Sequence, residues 1–182
     1  MRAFLLAVLL AAPASAAAPA RLRYEPRCIL EAVAREINRD IGRHRGPAVS
    51  AALLGASGAA SVPPVRVESR TPLIEFLTAV RPQVPSVDRF SNFYSVSANV
   101  VFLIDDASYY ERSGRTSRRS MEDSLAHEFV HYLQVKYLGY SAADLGTDDA
   151  EGMAINYQTS FRERYVLGGE DPPCPAGDLP RR

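Results

Sequence analysis

The chain has 182 residues, and its 21 lysine and arginine residues balance 21 aspartate and glutamate residues, so the formal net charge is zero. This length is enough for one domain with a substantial core and too short for two domains of ordinary size. Because there is no excess of positive charge, the chain lacks the electrostatic footprint of a protein that binds nucleic acid or an anionic membrane. We therefore expect one domain and no nucleic-acid partner.

The N-terminus has the pattern of a secretory signal peptide. Arg2 supplies a positive charge, residues 3–12 are apolar, and Ala14, Ser15 and Ala16 provide small residues for cleavage. The apolar run is too short to span a bilayer stably, which makes an uncleaved anchor the less favoured alternative. We expect a signal peptide over residues 1–16, export to the periplasm or beyond, and no membrane span after its removal.

Two cysteines, Cys28 and Cys174, lie near the two ends of the mature chain. In an oxidising compartment an even number of cysteines predicts a disulfide, and two unrelated free thiols are the alternative. We expect the mature domain to cover residues 17–170, followed by a proline-rich tail over residues 171–182 that Cys174 ties down.

The first half of the mature chain predicts a helix and the beginning of a sheet. Apolar residues at steps of four predict a helix over residues 26–41, and residues 48–54 favour a second, short helix. His44, between two arginines, is expected to be a solvated loop residue. Residues 65–68 alternate as in a strand, and Thr71 before a proline predicts the cap of a helix over residues 73–80.

Residues 93–96 and 99–104 carry the strongest strand signal, with a turn between them. We expect a small, mainly antiparallel sheet with helices packed on one side, which is an α+β fold. Residues 109–119 then predict a polar loop with four arginines, Arg112, Arg115, Arg118 and Arg119. A solvated loop is the favoured interpretation of this cluster, and a patch that binds an anionic ligand is the alternative.

Residues 120–139 predict a helix, with Ser120 and Asp123 as its capping pair and Gly139 at its end. This helix contains the HExxH pattern His127-Glu128-Phe129-Val130-His131. Histidines four residues apart lie on one helical face, where both imidazoles can bind one metal ion. In such a site a catalytic zinc acidifies a water molecule and a neighbouring carboxylate, here Glu128, takes its proton.

A third metal ligand is expected downstream, because catalytic zinc sites commonly have three protein ligands. The candidates are Asp144, Asp148, Asp149 and Glu151. Glu151 is favoured, since it lies near the start of a following helix that can turn back over the first, and Asp144 is next. That second helix is expected to begin with Asp148 or Asp149 as its cap and to reach residue 166.

The HExxH pattern, nineteen intervening residues and then Glu151-Gly152-Met153-Ala154 resemble the gluzincin branch of the zincin metallopeptidases. The likeness covers residues 65–167. It implies a zincin-like domain with zinc on His127, His131 and Glu151, and with Glu128 as general base. It further implies a peptidase that acts on peptides or proteins, and the signal-peptide pattern makes that peptidase an exported one. We expect residues 99–104 to form an edge strand with which an extended peptide can pair.

One position departs from the family pattern. Many gluzincins have an aspartate four residues after the ligand glutamate to orient a histidine, and this chain has Ile155 there. Asn156, Asp123 or a backbone carbonyl is expected to take that role. Three tyrosines are candidates for stabilising the reaction's oxyanion: Tyr140, Tyr157 and Tyr165. The alternatives to a peptidase are a non-catalytic zinc domain for envelope binding or assembly, and histidines that merely decorate a helix.

Overall fold

The computed structural model describes residues 19–42, 62–113 and 119–174. The predicted signal peptide, His44, the helix predicted over residues 48–54, Arg115 and Arg118 lie outside these ranges. Within them the helices are α1 (Pro26–Gly42), α2 (Leu73–Val80), α3 (Ala107–Ser113), α4 (Met121–Tyr137) and α5 (Asp148–Phe161), and the strands are β1 (Val65–Val67), β2 (Phe93–Ser95) and β3 (Val100–Leu103). A π-helical turn, Arg162–Leu167, continues α5. No helix in the described ranges is long and apolar enough to cross a membrane.

The three strands form one sheet in the order β1-β3-β2. The predicted pairing of β2 with β3 is confirmed and is antiparallel, whereas β1 pairs with β3 in parallel. The fold is therefore α+β as predicted, but the sheet is mixed rather than mainly antiparallel. The connection from β1 to β3 passes through α2 and β2, and a crossover of this length permits parallel pairing.

β3 is the central strand, so the prediction that residues 99–104 form an edge strand open to a peptide is wrong. Its side chains alternate between two cores. Val101 and Leu103 pack with α1, α4 and α5 on one face. Val100 and Phe102 pack with Phe76 of α2 on the other face. Helices therefore cover both faces of the sheet, and the prediction of helices on one side only is wrong.

The two ends of α4 follow the prediction. The hydroxyl of Ser120 accepts a hydrogen bond from the backbone N–H of Asp123 at 3.2 Å, which satisfies one free amide of the first turn. Gly139, just beyond the helix, has a φ of +81°, a left-handed conformation that glycine adopts without strain. Nearly every residue from Met121 to Gln134 is buried. The helix that carries HExxH is thus the central helix of the domain.

Other helix starts differ from the predictions. Thr147 caps α5 by accepting an amide hydrogen bond, in place of Asp148 or Asp149. The Thr71 hydroxyl donates to the Val67 carbonyl at 2.8 Å, so it turns back toward the strand and does not cap α2. The predicted polar loop over residues 109–119 begins within α3. For Thr147 and Thr71, a short-range hydrogen bond that the pattern did not reveal accompanies the local conformation.

The predicted disulfide is confirmed: Cys28 and Cys174 are bonded, and they lie 146 positions apart in sequence. Cys28 lies on α1 and is fully buried. The bond holds the end of the described chain against the first helix. A covalent link across most of the chain restricts the unfolded state and is worth about 2–4 kcal/mol of stability in the chain-entropy model.

Candidate metal centre

Helices α4 and α5 pack together and place three side chains at one point. His127 and His131 lie one turn apart on α4, and Glu151 lies on the first turn of α5. The two Nε2 atoms are 3.1 Å apart, and each lies 3.4 Å from an oxygen of Glu151. The structure therefore brings together the three residues that were predicted as metal ligands.

The orientation of His127 is fixed by a buried chain of hydrogen bonds. Its Nδ1 lies 3.2 Å from Oε1 of Gln158, and the Gln158 amide nitrogen donates to Asp123 at 3.1 Å. The other oxygen of Asp123 accepts a hydrogen bond from Arg162 at 2.6 Å. Burial raises the pKa of Asp123, and the ion pair with Arg162 partly opposes that rise. Because the carboxylate only accepts, Gln158 must present its oxygen to His127, and Nδ1 of His127 must carry a proton.

His131 is oriented in the same way by Gln134, which is fully buried. Nδ1 of His131 lies 2.8 Å from Oε1 of Gln134, whose amide nitrogen donates to the Ala150 carbonyl at 2.9 Å. A backbone carbonyl only accepts, so Gln134 also presents its oxygen and Nδ1 of His131 carries the proton. Since Ala150 precedes Glu151, Gln134 connects one histidine to the helical turn that carries the glutamate.

With both protons on Nδ1, each Nε2 offers a lone pair toward the other and toward the Glu151 carboxylate. Three acceptors this close repel one another unless a proton or a cation lies between them. The separations of 3.1 and 3.4 Å compare with about 3.3–3.6 Å between ligand atoms in a tetrahedral zinc site with bonds of about 2.0–2.2 Å. Two imidazoles and one carboxylate are also a ligand set of catalytic zinc sites. The residues therefore fit a zinc ion.

The electrostatics of the ion-free site agree with this geometry. Burial disfavours a charge on His127, but its hydrogen bond to Glu151 and the charge of Glu128 raise the pKa of His127 overall. Burial and the nearby charge of His127 lower the pKa of His131. Hydrogen bonding to His127 lowers the pKa of Glu151. Glu128 and Glu151 therefore favour a positive charge on or beside His127.

Glu128 lies beside this cluster and is only 6 % exposed. The backbone N–H of Tyr94 on β2 is directed at the Glu128 carboxylate and stabilises the charged form. Burial raises the pKa of Glu128 to about 7, the charge of Glu151 adds to the effect, and His127 and the Tyr94 amide oppose it. A carboxyl group that titrates near neutral pH is suited to accept and return a proton under physiological conditions.

Two cavities open on the cluster from different sides. The larger has a volume of about 650 Å³, and its wall includes His127, Glu128 and Glu151. The smaller, of about 320 Å³, lies toward β2, and its wall includes the same three residues together with His131 and Tyr94. The cluster and Glu128 are therefore accessible to an elongated ligand, although the side chains of His127, His131 and Glu128 are largely buried.

The edge of β2 that faces the smaller cavity has few free backbone groups. The N–H of Tyr94 is directed at the Glu128 carboxylate. The amide of Gln83 donates to the Tyr94 carbonyl at 3.4 Å and accepts from the Val96 N–H at 2.6 Å. Gln83 thus occupies the positions through which an added strand would pair with β2.

The other candidate ligands lie elsewhere. Asp144 accepts hydrogen bonds from the backbone and hydroxyl of Ser141, which lower its pKa and close the loop before α5. Asp148 and Asp149 line a separate cavity together with Asn156. Asn156 therefore lies on a different side of α5 from the cluster. Of the three candidates for orienting a histidine, Asp123 acts on His127 through Gln158, and a backbone carbonyl, that of Ala150, acts on His131 through Gln134.

The three candidate tyrosines do not line either cavity at the cluster. Tyr157 donates to Asp40 at 3.0 Å, Tyr165 packs on Phe161, and the backbone of Tyr140 closes the end of α4. Tyr109 lines the larger cavity instead. It follows the sheet in sequence and belongs to the segment that was predicted to be a polar loop.

Sequence reasoning missed Gln134 and Gln158, although helical periodicity contains the signal. Gln134 is three residues after His131, and Gln158 is seven after Glu151, so each lies on the face that carries a candidate ligand. Polar residues at those offsets are natural partners for a histidine Nδ1. Ile155, four residues after Glu151, lies on the same face but lines the larger cavity.

We expect Gln134→Met and Gln158→Met each to weaken zinc binding by about 10–100-fold, because partners of this kind orient the ligand and fix its tautomer. Competition with a chromophoric chelator measures the zinc affinity. Thermal unfolding of the ion-free variants serves as the control for lost packing. Unchanged zinc affinity in both variants would show that these glutamines have only a structural role.

Comparison with protein family models, with curated proteins and with solved structures found no match for this chain. The side chains themselves are therefore the only indication of function in the part of the chain that the structure describes. His127, His131 and Glu151 converge at one point, two glutamines orient the histidines, and the carboxylate of Glu128 is buried where two cavities meet.

Proposed function

We propose that the protein is an exported zinc-dependent hydrolase, and specifically a metallopeptidase of the gluzincin type. The observation that supports this most strongly is the convergence of three acceptor groups whose orientation is fixed by buried hydrogen bonds. Groups arranged in this way at the meeting point of two cavities are costly unless they bind something positively charged. The disulfide between Cys28 and Cys174 is compatible with export.

In this proposal His127 and His131 hold the zinc ion through Nε2, and Glu151 holds it through a carboxylate oxygen. Zinc in such a site supplies Lewis acidity, which acidifies a water molecule and polarises a carbonyl group. The hydrogen bonds from Nδ1 to Gln158 and Gln134 keep the two imidazoles in the tautomer that the ion requires. The protein thereby fixes its ligands before any substrate arrives.

Glu128 acts as the general acid and base. Its carboxylate accepts a proton from the attacking water and later delivers that proton to the amine that leaves the cleaved peptide bond. The products are a carboxylic acid and an amine, so one water is consumed and no other reactant is required.

The proposal predicts peptide hydrolysis that depends on a bound metal. We expect the zinc-loaded mature protein to cleave members of a mixed peptide library, with products identified by mass spectrometry. Treatment with a strong chelator should abolish cleavage, and added zinc should restore it. Tight zinc binding without cleavage of any peptide would favour the alternative, a non-catalytic zinc domain, over a peptidase.

A further inference from the structure

The larger cavity beside the cluster carries two exposed arginines. Arg89 belongs to the segment before β2, and Arg119 immediately precedes the cap of α4. They lie thirty residues apart in sequence, yet both line the cavity that contains His127 and Glu128. Two separate segments of the chain therefore bring positive charge to one side of the proposed active site.

Neither arginine makes an ion pair or side-chain hydrogen bond within the part of the chain that the structure describes. Other arginines of the domain do: Arg162 pairs with Asp123, and Arg164 pairs with Glu170. The carboxylates in the wall of the cavity are Glu128 and Glu151, which have partners at the cluster. The guanidinium groups of Arg89 and Arg119 are thus free to bind a ligand.

The rest of that wall is partly apolar. Phe90 and Ile104 contribute to it, and Ile155 presents a side chain that is 52 % exposed. An apolar surface beside an arginine excludes water and strengthens the attraction between the guanidinium and an anion. Guanidinium groups bind carboxylates through paired, charge-assisted hydrogen bonds. The cavity therefore combines groups that suit a ligand with an apolar part and a carboxylate.

We propose that Arg89 and Arg119 form a carboxylate-binding subsite that selects peptides with a negative charge close to the bond that is cut. This inference rests on the proposed peptidase function. The carboxylate comes from an aspartate or glutamate side chain or from the C-terminus of the peptide, and the chemistry of recognition is the same for both. The protein should therefore prefer peptides that have an acidic residue, or their C-terminus, close to the bond that is cut.

The test measures peptide binding to zinc-loaded Glu128→Gln protein, so that no peptide is cut. Three fluorescent peptides share one apolar sequence: a neutral peptide with an amidated C-terminus, an amidated peptide with one glutamate, and a neutral peptide with a free C-terminal carboxylate. We expect at least one charged peptide to bind about tenfold tighter than the neutral one, because one charge-assisted hydrogen bond increases affinity by about that factor. The charged peptide that binds tighter identifies the source of the carboxylate.

Adding Arg89→Gln and Arg119→Gln together should remove this preference. Adding Arg81→Gln, an exposed arginine that lines neither cavity at the cluster, should leave it intact. Equal affinities for all three peptides, no binding of any, or a preference that survives loss of both arginines would overturn the proposal. Hydrolysis by the wild-type protein is measured separately. Selective binding without cleavage would contradict the peptidase function and leave the carboxylate subsite standing.

Discussion

Replacing Glu128 with glutamine should slow peptide hydrolysis by about 10²–10⁴-fold, the usual effect of losing a positioned acid–base group. Glutamine keeps the size of the side chain and can still accept the Tyr94 N–H, but it cannot take a proton from water. Zinc should remain bound, since Glu128 is not a ligand in the proposed site. The measurement is kcat/KM of zinc-loaded wild-type and variant proteins on the same peptide.

Stability offers a check that the variant is intact. Glu128 is almost completely buried, and an ionised carboxylate is costly in that position. We therefore expect Glu128→Gln to unfold at a temperature no lower than that of the wild type. Glu163→Gln makes the same chemical change at an exposed position and should leave activity unchanged. Equal rates for wild type and zinc-loaded Glu128→Gln would exclude Glu128 as the general base.

Loss of any one of the proposed ligands should remove most of the bound zinc. We expect about one zinc per mature wild-type chain after dialysis, and close to none for His127→Ala or His131→Ala. Glu151→Ala should weaken binding markedly, because it leaves only the two imidazoles. Elemental analysis of the dialysed proteins gives the zinc content of each.

Asp149→Ala is the matched control, since Asp149 lies on the same first turn of α5 as Glu151 but lines a different cavity. Its zinc content should equal that of the wild type. If both histidine variants retained their zinc, the ion would have to be bound elsewhere in the chain. If Asp149→Ala lost zinc as completely as Glu151→Ala, the effect would reflect damage to the helix rather than loss of a ligand.

The helices that build the site could be predicted from sequence because their signals are local. Ser120, Gly139 and the spacing of His127 and His131 all act within one or two turns of α4. The position of Glu151 near the start of the next helix is equally local. Once two such helices pack together, only a few side chains are able to reach the histidines. The sequence therefore contained enough to select the three clustered residues.

The arrangement of the sheet could not be predicted in the same way. Strand order depends on contacts between distant segments, and residues 100–103 form a strand signal whether that strand is central or at an edge. The parallel partner of β3 lies some thirty-five residues earlier in the chain. Helices cover both faces of the sheet because Val100 and Phe102 pack against α2, and no local pattern in the sequence indicates that contact.

Two further features depend on the fold as a whole. Helical periodicity places Gln134 and Gln158 on the faces that carry the candidate ligands, but the orientation of their amides depends on how α4 and α5 pack together. The sequence favoured a solvated loop for the arginine cluster that includes Arg119. Arg119 lines the same cavity as Arg89 only because two distant segments of the chain pack together. Such properties follow from tertiary structure, which local patterns do not encode.

Anomalous diffraction at the zinc absorption edge, from crystals of the wild-type protein grown with zinc, would locate the ion itself. We predict one strong peak bonded to Nε2 of His127, Nε2 of His131 and a carboxylate oxygen of Glu151, at about 2.0–2.2 Å from each. A cluster that contains no peak at saturating zinc, or a zinc ion bound by other residues, would contradict the proposed metal centre and the hydrolysis that depends on it.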